Sequence, residues 1–152
     1  MFRGISLLNL DSKGRLAIPS RFRARLSASG IQSLVLTLNP LDRCLWLYPL
    51  PEWEIIDVKL AALSDFDRQS RRTKQMMRGY ASDCEMDKLG RILLPRELRE
   101  FARLDKGIVL LGQGNKLELW DAAAWNTQRD EWLAELDAPE GEAPEPLRSL
   151  SL

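Results

Sequence analysis

Asp11-Ser12-Lys13-Gly14-Arg15-Leu16-Ala17-Ile18-Pro19 returns 76 residues later as Asp87-Lys88-Leu89-Gly90-Arg91-Ile92-Leu93-Leu94-Pro95. Asp, Gly, Arg and Pro keep their register, and the positions between Arg and Pro stay apolar. Downstream the correspondence continues at a shift of 72: Leu45, Leu47, Tyr48 and Trp53 match Leu117, Leu119, Trp120 and Trp125. The change of shift means that the second copy is four residues shorter, and an internal loop is the expected place for the loss. Internal duplication governs architecture before any single residue does. The chain is two copies of one small unit.

Each copy holds about 45 residues. A unit that small buries too little apolar surface to offset its chain entropy, so the copies are expected to share a core. Within the first copy, Ile5 to Leu10 and Leu16 to Ile18 read as two strands around a tight turn at Gly14. Pro19 stands where a helix starts, and Gly30 where it ends. Leu34 to Leu38 and Cys44 to Tyr48 read as a hairpin around Asn39-Pro40. The second copy repeats this plan: a helix from Pro95, closed by Gly107, then strands Ile108 to Leu111 and Leu117 to Trp120 around Gly112-Gln113-Gly114-Asn115. Between the copies, Trp53, Ile56, Leu60 and Leu63 keep helical spacing, and 66 to 78 reads as a second, more basic helix.

The expected organisation is a first unit over 1–53, a helical connector over 54–80, a second unit over 81–125, a C-terminal helix over 126–138 and a disordered acidic tail over 139–152. The 152-residue chain has 22 Lys and Arg against 22 Asp and Glu, so its net charge is zero. The distribution is uneven. Up to Leu26, six basic residues stand against Asp11 alone, while from Asp130 onward seven acidic residues stand against Arg148 alone.

There is no His, and Cys44 and Cys84 have no partners at metal-ligand spacing. Neither thiol sits in an evident activating constellation, so an enzyme is the least favoured class. No cofactor or metal is expected. With no apolar run of signal or membrane-span length, a soluble cytoplasmic protein is the expectation. The five tryptophans recur at strand ends and on apolar helix faces, which favours packing over base stacking.

Asp-x-x-Gly-Arg-apolar-x-apolar-Pro followed by a short helix resembles the SpoVT-AbrB, or swapped-hairpin, DNA-binding unit. Two such units in one chain, opening on Met1-Phe2-Arg3-Gly4, resemble the MraZ family of bacterial transcriptional regulators over residues 1 to 137. The resemblance implies an α+β fold of two tandem AbrB-like swapped-hairpin β-α-β units sharing one pseudo-twofold barrel core, with flanking helices. It further implies ring-like, octamer-like homo-oligomers at the nucleoid that bind double-stranded DNA. Their targets would be short direct repeats upstream of the division and cell-wall gene cluster, including the protein's own gene.

The two copies differ in charge. Residues 7–27 carry a net +4, whereas the equivalent 83–103 carry zero. Phosphate binding draws on uncompensated positive charge, which makes the first copy the better DNA reader. Arg15 offers a forked donor set suited to guanine, Lys13 a phosphate contact, and Gly14 a bare backbone for close approach. Arg3 joins them if its strand runs beside the hairpin. Asp11, Arg21, Asp87, Lys88, Gly90 and Arg91 are secondary candidates, and Asp11 serves equally well as a turn-fixing partner of Arg15. Two rival readings stay open: an antitoxin-like DNA-binding partner of a toxin, and an oligomeric protein-interaction scaffold.

Overall fold

A computed structural model gives the structure, which describes residues 1–137 and 141–152. The first repeat contains β1 (Phe2–Asn9), β2 (Arg15–Ala17), α1 (Ser20–Ala28), β3 (Ser33–Leu38) and β4 (Leu45–Pro49). Helices α2 (Leu50–Ala61) and α3 (Arg68–Gly79) connect it to the second repeat. There β5 (Ser82–Glu85), β6 (Arg91–Leu93), α4 (Arg96–Phe101), β7 (Gly107–Gly114) and β8 (Leu117–Asp121) keep the same order. Helix α5 (Ala122–Asp137) follows, and α6 (Glu145–Arg148) is a single exposed turn. The expected end of the C-terminal helix at 138, and the first two residues of the expected tail, lie outside the described residues.

The two halves are exchanged rather than juxtaposed. The six-stranded antiparallel sheet runs β1-β7-β8-β4-β3-β5, and a separate two-stranded sheet joins β2 to β6. The pairings themselves are duplicated: β1 pairs with β7 as β5 pairs with β3, while β2 and β4 face their own counterparts β6 and β8. The pseudo-twofold relation is visible in the registers. Leu16 faces Ile92 at the centre of β2–β6, and Trp46 faces Glu118 at the centre of β4–β8.

This is the exchange that the swapped-hairpin resemblance implied, and β1 and β2 flank a turn without pairing with each other. Only the turn closes locally, through the Asp11 N–H to the Arg15 carbonyl (3.0 Å) and the Gly14 N–H to the Asp11 carbonyl (3.1 Å). Beyond it the strands part, because exchange merges two half-cores into one. That core holds Phe2, Leu16, Phe22, Leu36 and Leu47 together with Ile92, Leu98, Leu110 and Leu119. Full burial of an aliphatic or aromatic side chain contributes about 1.5–3 kcal/mol, and neither repeat has enough of them alone.

Two expectations are corrected. Gly112 to Gly114 lie in β7 and not in its turn, because the first half of β1 pairs with them, Phe2 opposite Gly114 and Gly4 opposite Gly112. The helix after Pro95 is closed by Arg103 (φ 52) and not by Gly107, which opens β7. The Leu104 N–H then returns to the Arg99 carbonyl (3.0 Å), as Ile31 returns to Leu26 (2.9 Å) after Gly30 in the first repeat.

The missing four residues are divided between two places. Leu7 and Asp83 are 76 apart, Val35 and Val109 are 74 apart, and Leu47 and Leu119 are 72 apart, all at equivalent register positions. Half the loss falls around the helix, which has nine residues in α1 and six in α4. The other half falls in the hairpin that follows.

Candidate nucleic-acid interface

The β2–β6 ribbon has a core face and a solvent face, as the period of two in a strand requires. Leu16 and Ile92 are fully buried on one side. Arg15, Ala17, Arg91 and Leu93 form the other, with Arg15 opposite Leu93 and Ala17 opposite Arg91. The two turns leave from opposite ends of this ribbon, because Gly14 bonds through its carbonyl to Leu94 and Gly90 through its carbonyl to Ile18, both at 2.9 Å. Both Asp–Arg motifs therefore belong to one surface.

Each motif is built identically. Asp11 Oδ1 accepts from the N–H groups of Lys13 (2.9 Å) and Arg15 (2.8 Å), while Oδ2 accepts from Arg15 Nε (2.8 Å). Asp87 does the same for Leu89, Arg91 and the Arg91 Nε. The Arg15 N–H, with the arginine side chain and the Lys13 N–H, holds the Asp11 carboxyl below the usual carboxylate range; Asp87 is held down by its equivalents. Asp11 and Asp87 shape the turns and aim the arginines. The Nη groups of Arg15 and Arg91 make no hydrogen bond among the described residues.

The tips differ. Lys13 is exposed at the first, and Leu89 holds its place at the second with Lys88 one residue earlier. Gly14 (φ +80) and Gly90 (φ +74) adopt a conformation that L side chains resist, yet both are buried. A Cβ on Gly14 would lie 3.0 Å from Cζ of Arg99, and one on Gly90 would lie 2.7 Å from Nε of Arg23. The bare faces of these glycines thus receive an arginine of the other repeat instead of approaching a nucleic acid. Neither Arg23, which the sequence offered only as one of three basic residues on the first helix, nor Arg99 was expected to back a turn, although they too stand 76 residues apart.

The remaining arginines lie elsewhere. Six residues of β1 carry Arg3 about 20 Å from Asn9, at the far end of the strand from the turn. There Arg3 and Arg21 line a shallow groove with Arg25. Arg21 is further fixed by an Nη2 bond to the Ser6 hydroxyl (2.7 Å). On α3, Lys74 pairs with Asp65 and Arg78 with Asp57, while Arg68, Arg71 and Arg72 are exposed. Cys44 and Cys84 are buried free thiols, and among the described residues no cluster of three or more His, Cys, Asp or Glu could hold a metal. No helix among them is long and apolar enough to cross a membrane.

Comparison with known proteins agrees with this doubled architecture. The family described as "MraZ protein, putative antitoxin-like" matches twice, over residues 1–76 and 77–144. The chain belongs to the MraZ family. A protein from Halorhodospira halophila named transcriptional regulator MraZ is 50% identical over 152 residues, covering all of both chains. Its namesake from Thioalkalivibrio sulfidiphilus is 52% identical over 155 residues, again over both full chains. One from Thiobacillus denitrificans is 54% identical over 128 residues, 84% of this chain and 86% of its own. The two MraZ matches meet inside α3, close to where the β5 half of the exchanged sheet begins.

Proposed function

We propose that the chain is a DNA-binding transcriptional regulator, acting as a repressor, that reads short direct repeats with the solvent face of the β2–β6 ribbon. One observation carries this reading. Two arginines, each oriented by its own aspartate, stand on the same face of a two-stranded ribbon, an element that the major groove of B-DNA admits. Arg15 supplies the base contact, Lys13 the phosphate contact, and Ala17 and Leu93 apolar surface suited to thymine methyls. The names of the relatives point the same way.

A three-residue ribbon makes few base contacts, each good pair contributing about 1–3 kcal/mol of discrimination. Several ribbons held on one DNA multiply affinity through effective concentration. Self-association has a surface to use. By the 72-residue shift, α5 is the counterpart of α2, but α2 is covered by α3 and α5 has no such cover among the described residues. Leu60 is 6% exposed, whereas its equivalent Trp132 is 50% exposed beside Leu133 and Leu136. Elsewhere on its exposed surface α5 carries Asp130, Glu131 and Glu135, opposite in charge to the exposed arginines of α3. A head-to-tail contact of this kind closes into a ring and points every ribbon the same way along the DNA, which suits direct repeats upstream of the gene cluster it controls.

The test is a titration of wild type and Arg15→Ala against the DNA upstream of the protein's own gene, with one box and with several, at two salt concentrations. Specific binding that rises with box number, weakens with salt and is lost in a folded Arg15→Ala variant supports the reading. Equal affinity for one box and for several overturns the direct-repeat reading, and no binding at all moves the interaction scaffold to the front.

A further inference from the structure

We infer that Arg99, a residue of the second repeat, is the positioning residue for the DNA-reading turn of the first; the inference rests on the function proposed above. Gly14 sits between the exposed Lys13 and the half-buried Arg15, so whatever fixes Gly14 fixes the direction of both. Besides its own N–H bond to the Asp11 carbonyl (3.1 Å), two contacts from the other repeat fix it. The Leu94 N–H donates to the Gly14 carbonyl (2.9 Å), and the Arg99 guanidinium lies against the bare side of Gly14. A Cβ placed on Gly14 would be nearly equidistant from Arg99 Cζ, Nη1 and Nε, at 3.0, 3.1 and 3.2 Å. The guanidinium therefore presents its flat face to the turn.

Arg99 is itself held. Its Nε donates to the Leu94 carbonyl (3.0 Å), so Leu94 ties the arginine through its oxygen and the turn through its nitrogen. A lysine keeps the charge but has neither the planar face nor the Nε donor, so it cannot hold the carbonyl and back the glycine together. Arg23 does the equivalent work for Gly90, with Nε on the Ile18 carbonyl (3.0 Å). The pair is symmetric in structure and unequal in consequence. Arg99 backs the turn that carries Lys13, while Arg23 backs the turn where Leu89 takes that place.

The experiment compares Arg99→Lys, Arg99→Gln and Arg23→Lys with wild type, in DNA affinity against salt and in amide hydrogen exchange of the two turns. Arg99→Lys is expected to lower specific affinity roughly tenfold with an unchanged salt slope, the loss that a loosened base contact brings. Faster exchange at Lys13, Gly14 and Arg15, with residues 87 to 91 unaffected, accompanies it. Arg23→Lys gives the reverse exchange pattern and leaves affinity within about twofold, since the turn it loosens lacks the lysine.

Three results overturn the inference. Arg99→Lys could bind like wild type while Arg99→Gln loses about one unit of salt slope, making Arg99 a direct phosphate contact. Arg23→Lys could match Arg99→Lys in affinity loss, making the effect one of general stability. Exchange at Lys13 to Arg15 could stay unchanged in Arg99→Lys. If wild type itself shows no specific binding, the DNA reading fails and the exchange data alone decide whether Arg99 holds the turn.

Discussion

Leu16 of the first repeat and Ile92 of the second face each other across the β2–β6 ribbon, and both are completely buried. The DNA-reading face proposed above and the centre of the core are thus two sides of the same three-residue strands. Leu16→Ala or Ile92→Ala should cost about 2–5 kcal/mol, the range for large-to-small changes in a packed core. Urea unfolding measures it. Arg15→Ala, on the other face, should leave the midpoint almost unchanged, and this separation makes it a usable DNA-binding variant.

DNA binding should be flat with pH across the neutral range. The chain has no His, and the Asp11 and Asp87 carboxyls are held below their ordinary value by the Arg15 and Arg91 amides first. Groups whose folded pKa is depressed add stability above the unfolded value of about 4 and lose it as pH falls through the folded one. Affinity measured between about pH 5.5 and 8.5 should not change, and the turns should loosen only in acid. A midpoint near pH 6.5 would contradict the Asp-anchored turn as the controlling element.

Neither thiol should react in the folded chain. Burial first, then the Glu118 carboxylate, pushes the Cys44 thiol far above its usual range, and burial raises Cys84 to about 11. The thiolate is the reactive form, so both cysteines should resist alkylation at neutral pH and react only on unfolding. Mass spectrometry with and without denaturant distinguishes the two states.

Leu133→Glu together with Leu136→Glu should reduce self-association without unfolding the chain. Both side chains are more than half exposed on α5 and contribute nothing to the described core. Sedimentation velocity reads the assembly and thermal melting the fold. Unaltered assembly would move the subunit contact to another surface.

Arg103→Gly should stabilise the chain by up to about 1 kcal/mol, because a residue with a Cβ at φ 52 carries a steric cost that glycine lacks. Chemical denaturation tests it, and a loss of stability would mean that the Arg103 side chain has a packing role outweighing its backbone strain.

The turn, the helix start at Pro19 and the β3–β4 hairpin were legible because each is decided by residues close in sequence. The exchange of β1 and β5 was legible only through the resemblance to the swapped-hairpin unit and not from the local pattern. Ile5 to Leu10 and Leu16 to Ile18 satisfy an ordinary hairpin equally well, and the true partner of Leu7, Val109, lies outside any local window. The Gly112 to Gly114 segment misled for the same reason, since its turn-like composition is overruled by pairing with Phe2 to Gly4. At the site, the Asp–Arg spacing announced a shaped turn. The arginines that back the glycines were hidden because each acts on the repeat to which it does not belong.

The interleaved strand order also bears on synthesis. β1 emerges first but finds its neighbour only when β7 follows, about a hundred residues later. At 5–20 residues per second that is a wait of roughly 5–20 s, with an unpaired eight-residue edge and half a core exposed. During that interval the nascent first half can meet another nascent chain on the same message, and a β7 supplied by that neighbour fits as well as its own. Translation rate and message crowding should therefore govern the yield of correctly closed monomers more strongly than the stability of the finished fold.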